Sequence, residues 1–297
     1  ITKLIPASLS TFKDGISTVI ENFVLGDRNK FQSKFPVIKE VKPKIIGEAL
    51  GINELLYDWK DGHAPSSETF NLKSTAFNGV NAQSQLTMGD PAEFSFGDAT
   101  NDLPFSFSAW VKIDLSSKNF YIISKRIAAG AYEYVWYVVQ STGKLFVDLY
   151  DAVSGVHRAR QTDNALTQGQ WLHVCVTYDG RGGDGTANDV TTAGITLYVN
   201  GQEEASAAAA AAGNYTAMHP TAAEFCVGRA TNSTSTVTEG LIDELAVFDK
   251  ELSADEVSTL YGGGRVWDLN MFFSALPSLV SWWRMGDKAT GASPNFT

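Results

Sequence analysis

The stretch Phe105–Asp114, FSFSAWVKID, decides the fold. Phe105, Phe107, Ala109, Val111 and Ile113 fall on one side of an extended chain; Ser106, Ser108, Lys112 and Asp114 fall on the other. Successive side chains of a strand point to opposite faces, so this period of two marks a strand with one face in a core. The alternation recurs downstream, in KLFVDLYD through Leu145, Val147 and Leu149, and in GITLYVNGQ through Ile195, Leu197 and Val199. The latter ends in Asn200-Gly201, a pair that favours a two-residue hairpin turn because both turn positions need positive φ. YEYVWYVVQ (132–140) is apolar on both faces, which predicts a central strand. About a dozen such runs, separated by turn residues, predict an all-β antiparallel sandwich of two sheets.

Two segments carry other signals. LSADEVSTLYGGG (252–264) has Ser253 and Glu256 as a capping box, Val257, Leu260 and Tyr261 as an apolar stripe, and Gly262 as a stop, so it predicts one helix. ASAAAAAAGN (205–214) has helical propensity, but it comes after a hairpin signal inside a β context and is expected as strand or loop. DGRGGDGTANDVTTAG (179–194) lacks the spacing of a calcium loop and reads as a surface loop.

The charge is uneven. Residues 1–50 hold 8 basic and 5 acidic side chains; the other 247 hold 15 basic and 28 acidic, for a net charge of −10. An acidic body argues against nucleic-acid binding, which needs clustered Lys and Arg. No long apolar run suggests a membrane span. Cys175 and Cys226 both sit in strand-like runs and are expected as two buried thiols; a bridge between them would need neighbouring strands. Residues 1–50 form a helical and extended arm in this reading. Ile16, Val19, Ile20, Phe23 and Val24 recur at helical spacing, and Pro36 and Pro43 break regular structure after the helix. A stripe that short needs a partner surface, so the arm is expected to anchor the chain to another subunit, with a homo-oligomer as the simplest case of assembly.

Three ordered segments carry a resemblance. FNGVNAQSQLTMG (77–89) with PFSFSAWVKI (104–113), GQWLHVCVTYDG (169–180) with ITLYVNGQ (195–202), and EFCVGRA (224–230) with GLIDELAVFDKELSADEVSTLYGGG (240–264) are similar to laminin-G-like domains of the concanavalin-A-like kind. The resemblance covers 70–264 and implies a jelly roll that binds glycans, proteins or calcium, or serves as structure. The expected organisation is an arm at 1–50, a linker at 51–69, the sandwich at 70–264 and an extension at 265–297. In that extension LVSWWRMGD (279–287) echoes LLYDWKDG (55–62), as the start of a second sandwich or a strand completing the first. The layout resembles structural proteins of tailed bacteriophages. It implies a virion component (head decoration, fibre or tail surface) assembled with other virion subunits; the alternatives are a secreted or cell-surface adhesion module and a degenerate glycanase.

Sandwich glycanases need paired carboxylates facing one cleft, in an E-x-D-x-x-E pattern, and no strand here carries it. His63, His157, His173 and His219 sit in unrelated segments without zinc spacing, and His173 in WLHVCV reads as a structural histidine. The chain is therefore expected not to be an enzyme. The resemblance implies at most a structural calcium, held by Asp243 and carbonyls around Asn78 and Gly79. For a glycan, Tyr134 and Trp136 share one strand face and offer stacking rings; the other reading, core rings, fits the two-sided apolarity of their strand.

Overall fold

The computed structural model describes residues 74–79, 86–127, 130–184, 191–230, 236–264 and 276–285, with 266 and 269 besides. The chain divides into two units, 1–70 and 71–297, and every described residue belongs to the second. The stripe at Ile16, Val19, Ile20, Phe23 and Val24, the linker at 51–69 and the segment at 55–62 lie outside the described residues.

Fourteen strands are described: β1 (Thr75–Asn78), β2 (Leu86–Thr87), β3 (Phe105–Asp114), β4 (Phe120–Arg126), β5 (Tyr132–Val138), β6 (Leu145–Asp151), β7 (Val156–Thr162), β8 (Trp171–Tyr178), β9 (Ile195–Val199), β10 (Gln202–Glu203), β11 (Ser206–Ala212), β12 (Phe225–Val227), β13 (Glu239–Phe248) and β14 (Leu279–Trp283). A helix, α1 (Ala254–Tyr261), lies between the last two. The first sheet runs β1-β13-β3-β8-β9-β10, with β14 also paired to β13. The second runs β11-β7-β6-β5-β4-β12-β2. All strand pairs are antiparallel.

The alternating residues build the core as their pattern requires. Phe105, Phe107, Ala109, Val111 and Ile113 of β3 join Leu145, Val147 and Leu149 of β6 and Ile195 and Leu197 of β9 within one buried cluster, and Val199 packs half-buried against it. Each large side chain in such a cluster contributes roughly 1.5–3 kcal/mol relative to exposure. β5 is central, flanked by β4 and β6. Asn200 (φ 50°) and Gly201 (φ 74°) make the β9–β10 turn, as the Asn-Gly pair demands.

The alanine run is β11, the edge strand beside β7. Its place is fixed by pairing to a neighbour, which overrides helical propensity. In α1 the Ser253 side chain accepts from Glu256 N–H, the Glu256 carboxylate accepts from Ser253 N–H, and Gly262 closes the helix at φ 58°.

Residues 279–283 complete this sandwich. β1 pairs with residues 239–242 of β13 and β14 with 245–248, so both lie along the edge opposite β3. Between them the ladder has a bulge, with Glu244 at φ 47°. Trp283 of β14 enters the core, its ring 5.9 Å from Phe94 and 5.8 Å from Phe225. Cys175 and Cys226 are buried free thiols in different sheets, on β8 and β12.

Candidate functional site

The two outer faces of the sandwich differ. Over the first sheet, α1 and the chain around it form a second apolar cluster from Cys175, Tyr198, Ala246, Phe248, Leu252, Val257 and Leu260. The Ser106 hydroxyl donates to the Lys250 carbonyl (2.8 Å) and accepts from Leu252 N–H (2.9 Å), fastening the approach to the helix onto β3. His173 lies beneath, its Nε2 2.8 Å from Ser108 Oγ and its ring beside Trp110 and Tyr261. Burial pushes its pKa down to about 3, so the imidazole is neutral at pH 7 and serves as a structural group.

At the bulge in β13, Asp243 pairs in register with Trp110, and Glu244 lines the small pocket that Trp110, Ser108, His173 and Trp282 share. Burial raises the Glu244 pKa to about 8; the Arg284 guanidinium 3.2 Å away opposes the shift, the Asp243 charge adds to it, and the Trp282 indole N–H bonded to Glu244 opposes it. Glu244, through Trp282 and Arg284, helps hold β14 to β13.

No described helix or strand packs over the outer face of the second sheet, and that face is aromatic. Gln161, Phe146, Tyr137 and Tyr121 lie in register across β7, β6, β5 and β4. Ring centroids are 5.3 Å apart for Tyr121–Tyr137 and 5.1 Å for Tyr137–Phe146. The next row in register is Ala159, Asp148, Val135 and Ser124, a floor of shorter side chains. Beyond it the Tyr150 ring stacks on His157 at 5.3 Å and 11° and meets Tyr132 at 5.3 Å. The Arg126 guanidinium lies 4.4 Å from the Tyr132 centroid.

Asp148 is the polar centre of this face. Both its oxygens lie within hydrogen-bond reach of His157 Nδ1, at 2.9 and 3.1 Å. That bond raises the His157 pKa above the ordinary value. Burial, with the nearby Asp148 charge, pushes the Tyr137 and Tyr150 hydroxyls far up, so both stay protonated donors. The arrangement offers flat apolar rings beside fixed donors and acceptors, which suits a ligand with apolar C–H faces and many hydroxyls.

Tyr134 and Trp136 are not part of it. Both are fully buried: Tyr134 packs against Phe107 at 5.2 Å and donates its hydroxyl to the Phe94 carbonyl, and Trp136 meets Phe107 at 6.3 Å. The core reading of those rings holds and a stacking role for them falls away. The residue types were right for the chemistry, but the chosen face of β5 was the inner one. The signal lay one strand over: the alternation that sends Leu145, Val147 and Leu149 inward sends Phe146, Asp148 and Tyr150 outward.

The structure also does not gather the implied calcium ligands. Asn78 pairs with Glu239, four residues from Asp243 along β13, a separation of about 14 Å at the usual strand rise. Asp243 Oδ1 accepts from Glu244 N–H (2.8 Å), and the Gly79 carbonyl accepts from the Lys118 ammonium. These residues do not fit one cation, and among the described residues no three His, Cys, Asp or Glu side chains cluster as metal ligands. Among the same residues no helix is long and apolar enough to cross a membrane.

The chain belongs to the concanavalin A-like lectin/glucanases superfamily, whose Laminin_G_3 family model matches residues 81–258, more than half of its length. No curated protein matches the sequence. Among solved structures it is similar to the binding domain of botulinum neurotoxin serotype G, at 19% identity and a TM-score of 0.43, over 62% of this chain and 41% of that one. It is similar to a putative carbohydrate binding protein from Bacteroides ovatus, at 14% identity and a TM-score of 0.43, over 70% and 51%. It is also similar to the CBM40 of Ruminococcus gnavus IT-sialidase, at 12% identity and a TM-score of 0.43, over 64% and 96%. The chain thus spans about half or less of the first two of these structures.

Proposed function

We propose that this chain is a non-catalytic carbohydrate-binding module whose sugar surface is the outer face of the second sheet. The observation that carries the reading is the partly exposed ring platform of Tyr137, Phe146 and Tyr150 around the Asp148–His157 pair. Against hydrolysis stands the supply of carboxylates. Acid–base cleavage of a glycoside needs two carboxyl groups free to face the bond. Here Asp148 is engaged by His157, and Glu133 on β5 is fully buried against the Lys125 ammonium (2.9 Å).

The test is glycan binding by the intact chain, with Tyr137→Ala and Tyr150→Ala as site variants and Trp171→Ala, an exposed ring on the other sheet, as control. Loss of one stacking ring should weaken binding by about 1–2 kcal/mol, roughly five- to thirtyfold. Unchanged binding in both tyrosine variants, or release of reducing sugar, would overturn the reading.

In its fullest form the module is displayed on a virion surface, held to other virion subunits by residues 1–50. What supports that context is sequence: the arm is basic where the body is acidic, and it carries the apolar stripe Ile16, Val19, Ile20, Phe23 and Val24.

A further inference from the structure

We infer that the glycan bears a carboxylate sugar and that Arg126 receives the carboxylate; this rests on the sugar-platform reading above. The ground is the contrast between Arg126 and four other arginines. Arg158 donates to the His157 and Gly213 carbonyls, and Arg160 to Ser206 and the Thr192 carbonyl. Arg181 is paired with Asp179, and Arg284 with Glu244. Each of these four guanidinium groups is engaged in the protein's own structure.

Arg126 is held differently. Its guanidinium lies over the Tyr132 ring at 4.4 Å and reaches the Tyr150 ring at 5.8 Å. It has no ion pair with a carboxylate among the described residues, and its Nε, buried against this surround, has no hydrogen-bond partner there. The stacking sets the guanidinium on the aromatic face of Tyr132, and its terminal amino groups have no hydrogen-bond partner among the described residues while the side chain is half-buried. A planar fork of donors held in this way matches the two oxygens of a carboxylate, and the partly dry surround strengthens the bond.

Local charge agrees. The carboxylate of the platform, Asp148, is bonded to His157 and not to Arg126. Burial and the Asp148 charge raise the pKa of Tyr137 and Tyr150, and the Arg126 charge opposes that shift at both, so the guanidinium lies within electrostatic reach of the platform. A neutral sugar would meet the rings but leave the guanidinium charge without a counter-charge. A uronate or a sialic acid would meet both, and the two share this chemistry.

The experiment is calorimetric titration of the intact chain with four probes: lactose, sialyllactose, a cello-oligosaccharide and an oligogalacturonate. An acidic probe should bind about tenfold or more tightly than its neutral counterpart, as one charge-assisted bidentate contact implies. The acidic arm that binds tells a sialic acid from a uronate. Arg126→Met should reduce that probe to the affinity of the neutral sugar. Arg126→Lys, which keeps a cation over Tyr132, should fall between the two, and it carries the test if the Met variant does not fold. Equal affinity for acidic and neutral probes, or acidic binding that survives both substitutions, overturns the inference and leaves the platform reading in place. No binding of any probe overturns it together with the platform reading for these sugars.

Discussion

Lys125 carries the sharpest prediction about what holds the platform in shape. The side chain is fully buried, and its ammonium is ringed by oxygens: Asp90 Oδ1 at 2.5 Å, Glu133 Oε1 at 2.9 Å, the Ala223 carbonyl at 2.9 Å and the Thr221 carbonyl at 3.2 Å. Glu133 Oε1 also accepts from the Thr221 N–H and hydroxyl, while its Oε2 has no partner. The cluster ties 221–223 to β4 and β5. Replacing Lys125 by Met keeps most of the buried stem and removes the charge, so the buried Glu133 carboxyl loses its cation partner. At 2.9 Å and an effective dielectric of about 20, the lost attraction to Glu133 is about 6 kcal/mol before relaxation. Breaking one side of such a pair is expected to cost about 3–5 kcal/mol net. For a domain of this size that lowers Tm by roughly 6–20 °C. Urea and thermal melts of wild type, Lys125→Met, Glu133→Gln and the double variant form the cycle. Because the loss comes from an orphaned carboxyl, the double variant should recover at least half of the stability lost by Lys125→Met. A loss below about 1 kcal/mol, or a double variant as unstable as the sum of the singles, would refute the reasoning.

Two further predictions concern pH and the arm. The folded pKa of His173 lies at about 3, below its ordinary value near 6.5, so only the unfolded chain takes up that proton in between; stability is full above pH 6.5 and should fall by about 1.4 kcal/mol per pH unit from this group as pH drops toward 3. His173→Gln should remove that much of the slope in urea melts across pH 4–6, and an unchanged slope would show that the imidazole is solvated in the folded protein. Deleting residues 1–50 should leave the sandwich folded with an unchanged melt but abolish incorporation into the assembly, read as oligomer mass; a truncated chain that assembles like the full one removes the anchoring role.

How much of the molecule is legible in the sequence depends on what each signal measures. Alternation in β3, β6 and β9 measures burial on one face, and burial is what builds the core, so fold and register can be read from it. The capping box and the Asn-Gly turn are local chemistry, and both appear at the expected residues. In β5 alternation carries no information, because Tyr134 and Trp136 face the core while Val135 and Tyr137 form the platform with apolar groups of their own. Long-range placement is the other blind spot. That β14 shares the β13 edge with β1, or that a bulge turns Glu244 into the Trp282 pocket, depends on contacts far apart in sequence.

The placement of the site comes from which outer face the chain closes on itself. α1 buries Val257 and Leu260 on the first sheet, its approach is tied to β3 through Ser106, and Lys250 and Glu256 pair at 2.8 Å. Those contacts make that face an extension of the core, and His173 and Glu244 beneath it carry the shifted pKa values that burial imposes. The second sheet has the opposite character. Its outer rings are partly exposed, with neighbours on their own face and with Ala230 packed beside Tyr121 and Val135. Asp148 and Arg126 lie among those rings, one held by a histidine and one by stacking alone. A face kept for structure would have paired that carboxylate with that guanidinium. Their separate engagement leaves the Arg126 guanidinium without a carboxylate partner among the described residues, stacked at the margin of the aromatic face.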